Sequence, residues 1–369
     1  MEKQKKGAMS TTTIGFLGAG GIARSHVYAL SALKFYYPDA PEIILADVHS
    51  ARAESREAFA HKYGFARAVD LPAFIQNSAI DTVFILGPNH IHYPHLEAAL
   101  KMPSVKRIYL EKPVCSNVQE EEAMKQLMME YVNEKKVQVG FQMTQTSAIQ
   151  EALNMWYSGR FGQPIHFNFT LKHGDYLQKT YREKRATRLT PAPDGGAMAD
   201  LGSHAVSLAM AFLGENLKIS HALQAGAFDD VPAGSDLYSE ISVVETTSKA
   251  VGTISGSRVS AGTGDLLAFE IYAEKGAIKY TSHQPDTLEY YLEETDNWTK
   301  VFTGSNYQPA TSFPSAHVPG GWLRSLIHAH YVFLTGYPQS AFVPDLKHGL
   351  AVQRIVRETA DFMERFRQS

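Results

Sequence analysis

Directly after a β-rich run at residues 13–17, and opening a helical stretch, the chain reads Gly18-Ala19-Gly20-Gly21-Ile22-Ala23. Few folds use this G-x-G-x-x-A pattern in that setting. The first glycine permits a tight turn, the second lets the backbone approach a pyrophosphate, and the small Ala23 lets helix and strand pack closely. Free N–H groups at the helix start then face the phosphates. A glycine turn alone is a weak signal, but here a strand precedes it, a helix follows it, and an acidic residue, Asp47, ends the second strand at 42–46. Asp47 is placed to accept hydrogen bonds from an adenosine ribose and to repel a 2′-phosphate. The expected cofactor is NAD, with NADP as the alternative.

The rest of the first half extends that unit. Strand-like runs at 81–86, 106–110 and 137–141 alternate with helical stretches such as 50–63 and 117–135. Continuous apolar strands separated by helices imply a parallel, doubly wound sheet covered on both faces. After Phe141 the rhythm changes. A helix at 146–158 leads into an alternating run at 164–172, and residues 219–291 carry several strands joined by short turns. The pair 268–273 and 277–280 around Glu274-Lys275-Gly276 reads as a hairpin, so the second sheet is expected to be antiparallel. Two helices near 321–334 and 345–366 close the chain. The expected division is a dinucleotide-binding domain at 11–142 and a substrate and oligomerisation domain at 143–369, its last helix able to pack back on the first. A length of 369 residues suits two domains.

Composition narrows the partners. A net charge of -3 gives no reason to expect nucleic acid or an anionic membrane surface. No apolar run approaches a membrane span. Cys115 is the only cysteine, so no internal disulfide can form, and the lysine-rich start lacks the apolar segment of a signal peptide. A cytoplasmic location is expected.

Three further segments carry candidate chemistry. Glu111-Lys112-Pro113 follows the fifth strand, at the carboxyl end where ligands sit in a doubly wound sheet. Taken alone, a lysine there is usually a solvated surface residue. Gly195-Gly196 leads to Asp200-Leu201-Gly202-Ser203-His204, which opens a helix running to about residue 213. Asp200 and His204, four apart, would share a face. A neutral His can take a proton from a hydroxyl, but alone the pair reads as a helix-start acid and a core histidine. The third segment, Pro88-Asn89-His90-Ile91-His92, continues to His95. Its H-x-H-x-x-H spacing lacks further ligands and is not a common zinc signature, so no metal is expected.

With the glycine turn and Pro344-Asp345 before the last helix, these pieces together resemble the glucose-fructose oxidoreductase, inositol dehydrogenase and rhizopine-catabolism (Gfo/Idh/MocA) family over nearly the whole chain. The resemblance implies an N-terminal Rossmann domain, a C-terminal α/β domain with an open, mostly antiparallel sheet, and a Lys-Asp-His constellation. Lys112, Asp200 and His204 occupy those positions. It also places Gly18, Gly20, Gly21, Ile22, Ala23, Asp47, Pro88, Asn89, His92, Glu111 and Lys112 beside the cofactor. Relatives often pair through the second sheet, which implies a homo-dimer or tetramer. One departure is an arginine that many relatives carry after the sixth strand. Here the stretch is Gly140-Phe141-Gln142-Met143-Thr144-Gln145, with Gln142 as the candidate substrate contact.

Residues 172–188 hold six basic and two acidic side chains, net +4. A solvated loop is the plain reading; a clamp by Arg182, Arg185 and Arg188 on a substrate phosphate or carboxylate is the sharper one. The function expected is hydride transfer between a nicotinamide and a secondary hydroxyl or ketone of a sugar, glycoside or cyclitol. His204 is the base for the hydroxyl proton, though Lys112 competes for that role. Asp200 orients the substrate or His204. Two rivals are an NAD-dependent glycosidase that oxidises, eliminates and re-reduces, and a non-catalytic sugar sensor on the same fold.

Overall fold

Ile14, Phe16 and Leu17 in the first strand and Val83, Phe84 and Ile85 in the fourth are at most 1% exposed. Burial of successive residues, which point to opposite faces, means that this sheet is covered on both sides. In the computed structural model, which describes residues 10–131, 133–192, 195–226, 228–304, 307–308 and 321–368, the sheet has six strands. They are β1 (Thr11–Leu17), β2 (Glu42–His49), β3 (Arg67–Val69), β4 (Thr82–Ile85), β5 (Arg107–Leu110) and β6 (Lys136–Val139). All pair in parallel, in the order β3-β2-β1-β4-β5-β6. This is the doubly wound order whose ligand crevice lies at the carboxyl ends where the winding reverses, between β1 and β4.

Helices α1 (Gly21–Tyr36), α2 (Ala53–Tyr63), α3 (Leu71–Ile75), α4 (His92–Lys101) and α5 (Val118–Tyr131) connect these strands. Their ends follow local chemistry. Gly64 takes a left-handed conformation (φ 79°) to stop α2, and the Asp70 carboxylate caps α3 by accepting from the Ala73 N–H at 3.0 Å. β3 is only three residues long and has no apolar run, which is why the sequence pattern passes over it.

The second sheet contains β7 (Pro164–Lys172), β8 (Leu217–Ala225), β9 (Tyr238–Glu245), β10 (Val251–Ser257), β11 (Leu266–Ala273), β12 (Gly276–Thr281), β13 (Thr287–Leu292) and β14 (Asn297–Phe302). Its order is β14-β13-β12-β11-β7-β10-β9-β8. Only β7 and β10 run parallel; every other pair is antiparallel. Between β6 and β8 lie α6 (Ser147–Tyr157), the short α7 (Lys179–Lys184) and α8 (Ser203–Leu213). α6 and α8 pack on one face of this sheet. Ile165, Leu223, Val251, Trp298 and Phe302 stay exposed.

The last two helices return to the first sheet. α9 (Trp322–Thr335) packs against α1, and α10 (Leu346–Gln368) reaches α5, where Arg357 pairs with the buried Glu121 at 2.9 Å. Among the described residues no helix is long and apolar enough to cross a membrane.

Several histidines are sealed in this core. Burial lowers the pKa of His95 and His348 to about 4 and of His204 and His328 to about 3, and pushes His92 and His330 down as well. In the unfolded chain they would titrate near the ordinary value of about 6.5. Below that pH the unfolded state binds protons that the folded state refuses, so stability falls as pH falls. The melting temperature should drop by on the order of 10 °C between pH 7 and pH 5. A melting temperature that stays flat across that interval would contradict this account of the buried histidines.

Candidate active site

The glycine turn is built for close approach. Gly18 has φ 134°, and a side chain there would strike the backbone of Leu86 and Gly87 at 2.5–2.6 Å. In front of α1 the space is open: nothing lies within 4 Å of the Cβ position at Gly20, and only the far end of Arg24 approaches that of Gly21. No side chain caps the first turn of α1. Its free N–H groups therefore face room for a phosphate, and these residues fit a dinucleotide. Ile22 is half-buried beside them, and Ala23, fully buried, lets α1 lie close on the sheet.

Asp47 is met by side chains of its own domain. β2 does not end there but runs on to His49, in register with Leu17. That places Asp47 inside the strand, opposite Arg67 of β3. Its carboxylate accepts from Arg67 Nε at 2.9 Å, Arg67 Nη2 at 2.6 Å and Asn77 Nδ2 at 2.9 Å, and its side chain is 1% exposed. Three donors thus engage the Asp47 carboxylate, while the Arg67 side chain is 51% exposed.

Asn89 and the exposed Pro88 stand at the carboxyl end of β4. His92, by contrast, is 1% exposed, with Nδ1 2.7 Å from the Pro113 carbonyl and Nε2 2.9 Å from that of Gly87. Two carbonyl partners favour a doubly protonated ring, but burial is the larger effect and lowers its pKa. His92 ties two turns together through both ring nitrogens. Glu111 likewise points inward: its carboxylate meets His26 Nε2 at 2.9 Å and accepts from the Lys112 N–H at 3.2 Å.

Lys112 is where the two sheets meet. Its Nζ donates to the Asp200 carbonyl at 2.6 Å and to Asp200 Oδ1 at 3.1 Å. Asp200 lies in a π-helical turn, Met198–Gly202, that feeds α8, where the sequence pattern implied an ordinary helix start. The wider turn fits against β10 because Gly256 has no side chain; a Cβ there would lie 2.6 Å from the Ala197 carbonyl and from the Gly202 nitrogen. π turns are frequent at functional sites. The other Asp200 oxygen accepts from Arg258 Nη2 at 2.9 Å, and Arg188 Nη1 lies 3.8 Å away. Burial would raise this carboxyl, but Lys112, Arg258 and Arg188 outweigh it and hold Asp200 far below the usual carboxylate range.

His204 stands on α8, 6% exposed, with its ring edge-on to Phe141 at 5.6 Å. Burial and the neighbouring Lys112 charge, opposed by Asp200, bring its pKa to about 3. No hydrogen bond joins His204 to Asp200 among the described residues, and His204 Nδ1 is buried without a partner. Lys112, Asp200 and His204 thus converge, with Asp200 holding Lys112 and not His204.

The basic segment divides. Arg182 is 6% exposed, bidentate on Asp230, bonded to the carbonyls of Tyr176 and Leu177, and stacked 3.9 Å over Phe228. It locks the loop, so its expected substrate contact is corrected. Arg185 and Arg188 are exposed. Gln142 is occupied too: with its amide oriented by its neighbours, it donates to the Gly140 carbonyl at 2.6 Å and accepts from Trp322 Nε1 at 2.9 Å. Arg258 escaped the sequence reading. It sits just past β10, outside any motif, and only the strand register carries it to Asp200.

This architecture and site define an NAD-binding oxidoreductase. Residues 12–141 match the model of an oxidoreductase family with an NAD-binding Rossmann fold, and residues 149–279 match the GFO/IDH/MocA C-terminal domain. The chain belongs to the Gfo/Idh/MocA family. It is 26% identical to levoglucosan dehydrogenase of Pseudarthrobacter phenanthrenivorans, over 80% of this chain and 81% of that one. It is 23% identical to glucose-6-phosphate 3-dehydrogenase of Bacillus subtilis, over 74% and 75%. Its fold is similar to that of levoglucosan dehydrogenase in complex with NADH and levoglucosan (TM-score 0.84, 20% identity, covering 96% of this chain and 98% of that one). It is also similar to an inositol dehydrogenase homologue in complex with NAD+ from Azotobacter vinelandii (TM-score 0.79, 17% identity, 96% of each chain).

Pairing with Arg67 cancels much of the charge by which Asp47 would repel a 2′-phosphate. Arg67→Ala should therefore weaken NADPH binding by about tenfold, with little change for NADH. Fluorescence titration with both dinucleotides checks this. Equal changes for the two would show that Arg67 takes no part in the choice.

Proposed function

We propose that this protein is a dehydrogenase that moves a hydride between a nicotinamide and a secondary hydroxyl or ketone of a sugar, glycoside or cyclitol. The observation that carries the reading is the meeting of Lys112, from the first sheet, with Asp200 and the neutral His204, from the second. The named activities of the sugar dehydrogenase relatives support the substrate class.

The bound dinucleotide would supply the hydride acceptor, and this chain's residues would manage the proton and the charge. Gly18 to Ala23 and the first turn of α1 hold the pyrophosphate. Pro88 and Asn89 stand at the end of β4 beside the same crevice. His204, kept neutral by burial, is the acceptor for the substrate hydroxyl proton. Lys112, cationic and bonded to Asp200, donates to the substrate oxygen and stabilises the negative charge that develops there. Asp200 and Arg258 fix where that ammonium sits.

Arg188, exposed and 3.8 Å from Asp200, supports a narrower reading in which Arg185 and Arg188 meet an anionic substrate group. Arg188→Ala should then raise KM for a phosphorylated sugar more than for a neutral one. A neutral sugar as best substrate, with no effect of this change, would leave these arginines as solvated loop. The exposed apolar side chains of the second sheet support pairing into a homo-dimer or tetramer.

A panel of sugars and cyclitols with NAD and with NADP, followed at the nicotinamide absorbance, tests the reading. Lys112→Ala and His204→Ala should each lower kcat by about 10²–10⁴-fold, the usual worth of a positioned acid–base group. NADH affinity should hold within about twofold, because neither residue builds the glycine turn. Near-normal kcat in both folded variants would defeat the mechanism. Because His204 accepts a proton only well below the ordinary range, its ionisation should leave kcat/KM flat from pH 5 to 7. An acid limb near pH 6.5 that vanishes in His204→Asn would show that the ring is not held neutral.

A further inference from the structure

Beside Lys112 in the chain, Glu111 forms an unbroken hydrogen-bonded row with two histidines from distant elements. His26, one turn inside α1, places Nε2 2.9 Å from Glu111 Oε1. Its Nδ1 lies 2.9 Å from Nε2 of His330 on α9, and the two rings stack at 4.9 Å. Both side chains are completely buried. Phe84 and Tyr109 box them in edge-on, at 5.1–5.6 Å, and Phe333 packs on both box rings. Glu111 Oε2 accepts from the Lys112 N–H. Gly140 makes room for the carboxylate: a Cβ there would lie 2.8 Å from Oε1.

The protons in this row have one neutral arrangement. An ionised carboxylate can only accept, so His26 Nε2 donates to Glu111. A neutral His26 then has a bare Nδ1, which accepts from His330 Nε2–H. His330 Nδ1 is left bare, and it has no partner. The row therefore ends blind in an aromatic box and leads no proton to solvent. Burial and the neighbouring His26 keep His330 neutral. A buried carboxylate is costly unless it is hydrogen-bonded. His26 and the Lys112 N–H are its two donors. The Glu111 charge also acts on His92 on α4 and on Tyr109 on β5.

We propose that His26 and His330 are positioning residues for Lys112, a two-imidazole strut from α9 through α1 that holds the Glu111 carboxylate and so fixes the turn that carries Lys112. α1 also begins at the phosphate-binding turn, so one helix sets both ends of the reaction centre. The proposal rests on the role of Lys112 given above.

The strut can be read in the full chain without substrate, through the backbone amide of Lys112, which donates to Glu111. In the wild type its NMR shift should stay constant from pH 6 to 9. In His26→Leu the carboxylate loses a donor and its pKa rises, so the Lys112 amide should titrate in that range. In the double variant His26→Leu/Glu111→Gln nothing ionises at that position and the titration should vanish. The kcat of His26→Leu should fall about tenfold at pH 7 and recover as pH rises through the new pKa; His330→Leu should show a smaller shift in the same direction. A folded His26→Leu protein with a flat Lys112 amide and a wild-type pH profile would overturn the proposal. If the wild type turned over no sugar, the dehydrogenase reading would fall, while the amide titration would still decide whether the strut holds the turn.

Discussion

The contact between Lys112 and Asp200 is the interaction on which the rest of this molecule turns. Lys112 belongs to the end of a parallel strand, and Asp200 to a π turn fixed against the second sheet. Their bond joins two sheets that share no strand. Taking charges out of water is costly, and a lone buried pair often gains little over apolar packing. Here the carboxylate meets Lys112, Arg258 and Arg188, so positive charge exceeds negative at this point. Such an arrangement is poor as simple ballast. It suits a place where a neutral hydroxyl must pass towards an oxyanion.

Burial first, and this excess of cations second, account for His204. A histidine beside an ammonium and cut off from water stays unprotonated. A ring so depleted of basicity is a weak acceptor on its own. The ammonium that weakens it also stabilises the oxygen that gives up the proton, so the two effects oppose each other within one transfer.

Much of this was legible in the sequence. Strand–turn–helix punctuation around Gly18 follows from local chemistry, while Lys112, Asp200 and His204 drew their weight from the family resemblance of the segments that carry them. The bounds of β7 follow from alternation, and the β11–β12 hairpin from the turn signal at residues 274–276, although β11 begins two residues earlier and β12 extends one residue further at each end than the pattern suggests. Illegible features depended on register and distance. Asp47 looked like a ribose acid because β3 is too short to announce that Arg67 lies opposite it. Arg182 looked available because its lock, Asp230, is 48 residues away. Arg258, His26 and His330 carry no motif. Each becomes meaningful only when a fold brings remote elements within 3 Å.

The account stands or falls on whether a carbon-bound hydrogen passes to the nicotinamide. Carbon-deuterated hexoses and cyclitols, incubated with enzyme and NAD under single-turnover conditions, give a direct reading by mass spectrometry of the reduced cofactor. The account predicts one deuterium in each NADH formed, with the matching ketone in equal amount. Ring or glycoside cleavage with no net reduced cofactor, or cofactor binding with no deuterium transferred from any sugar, would contradict it.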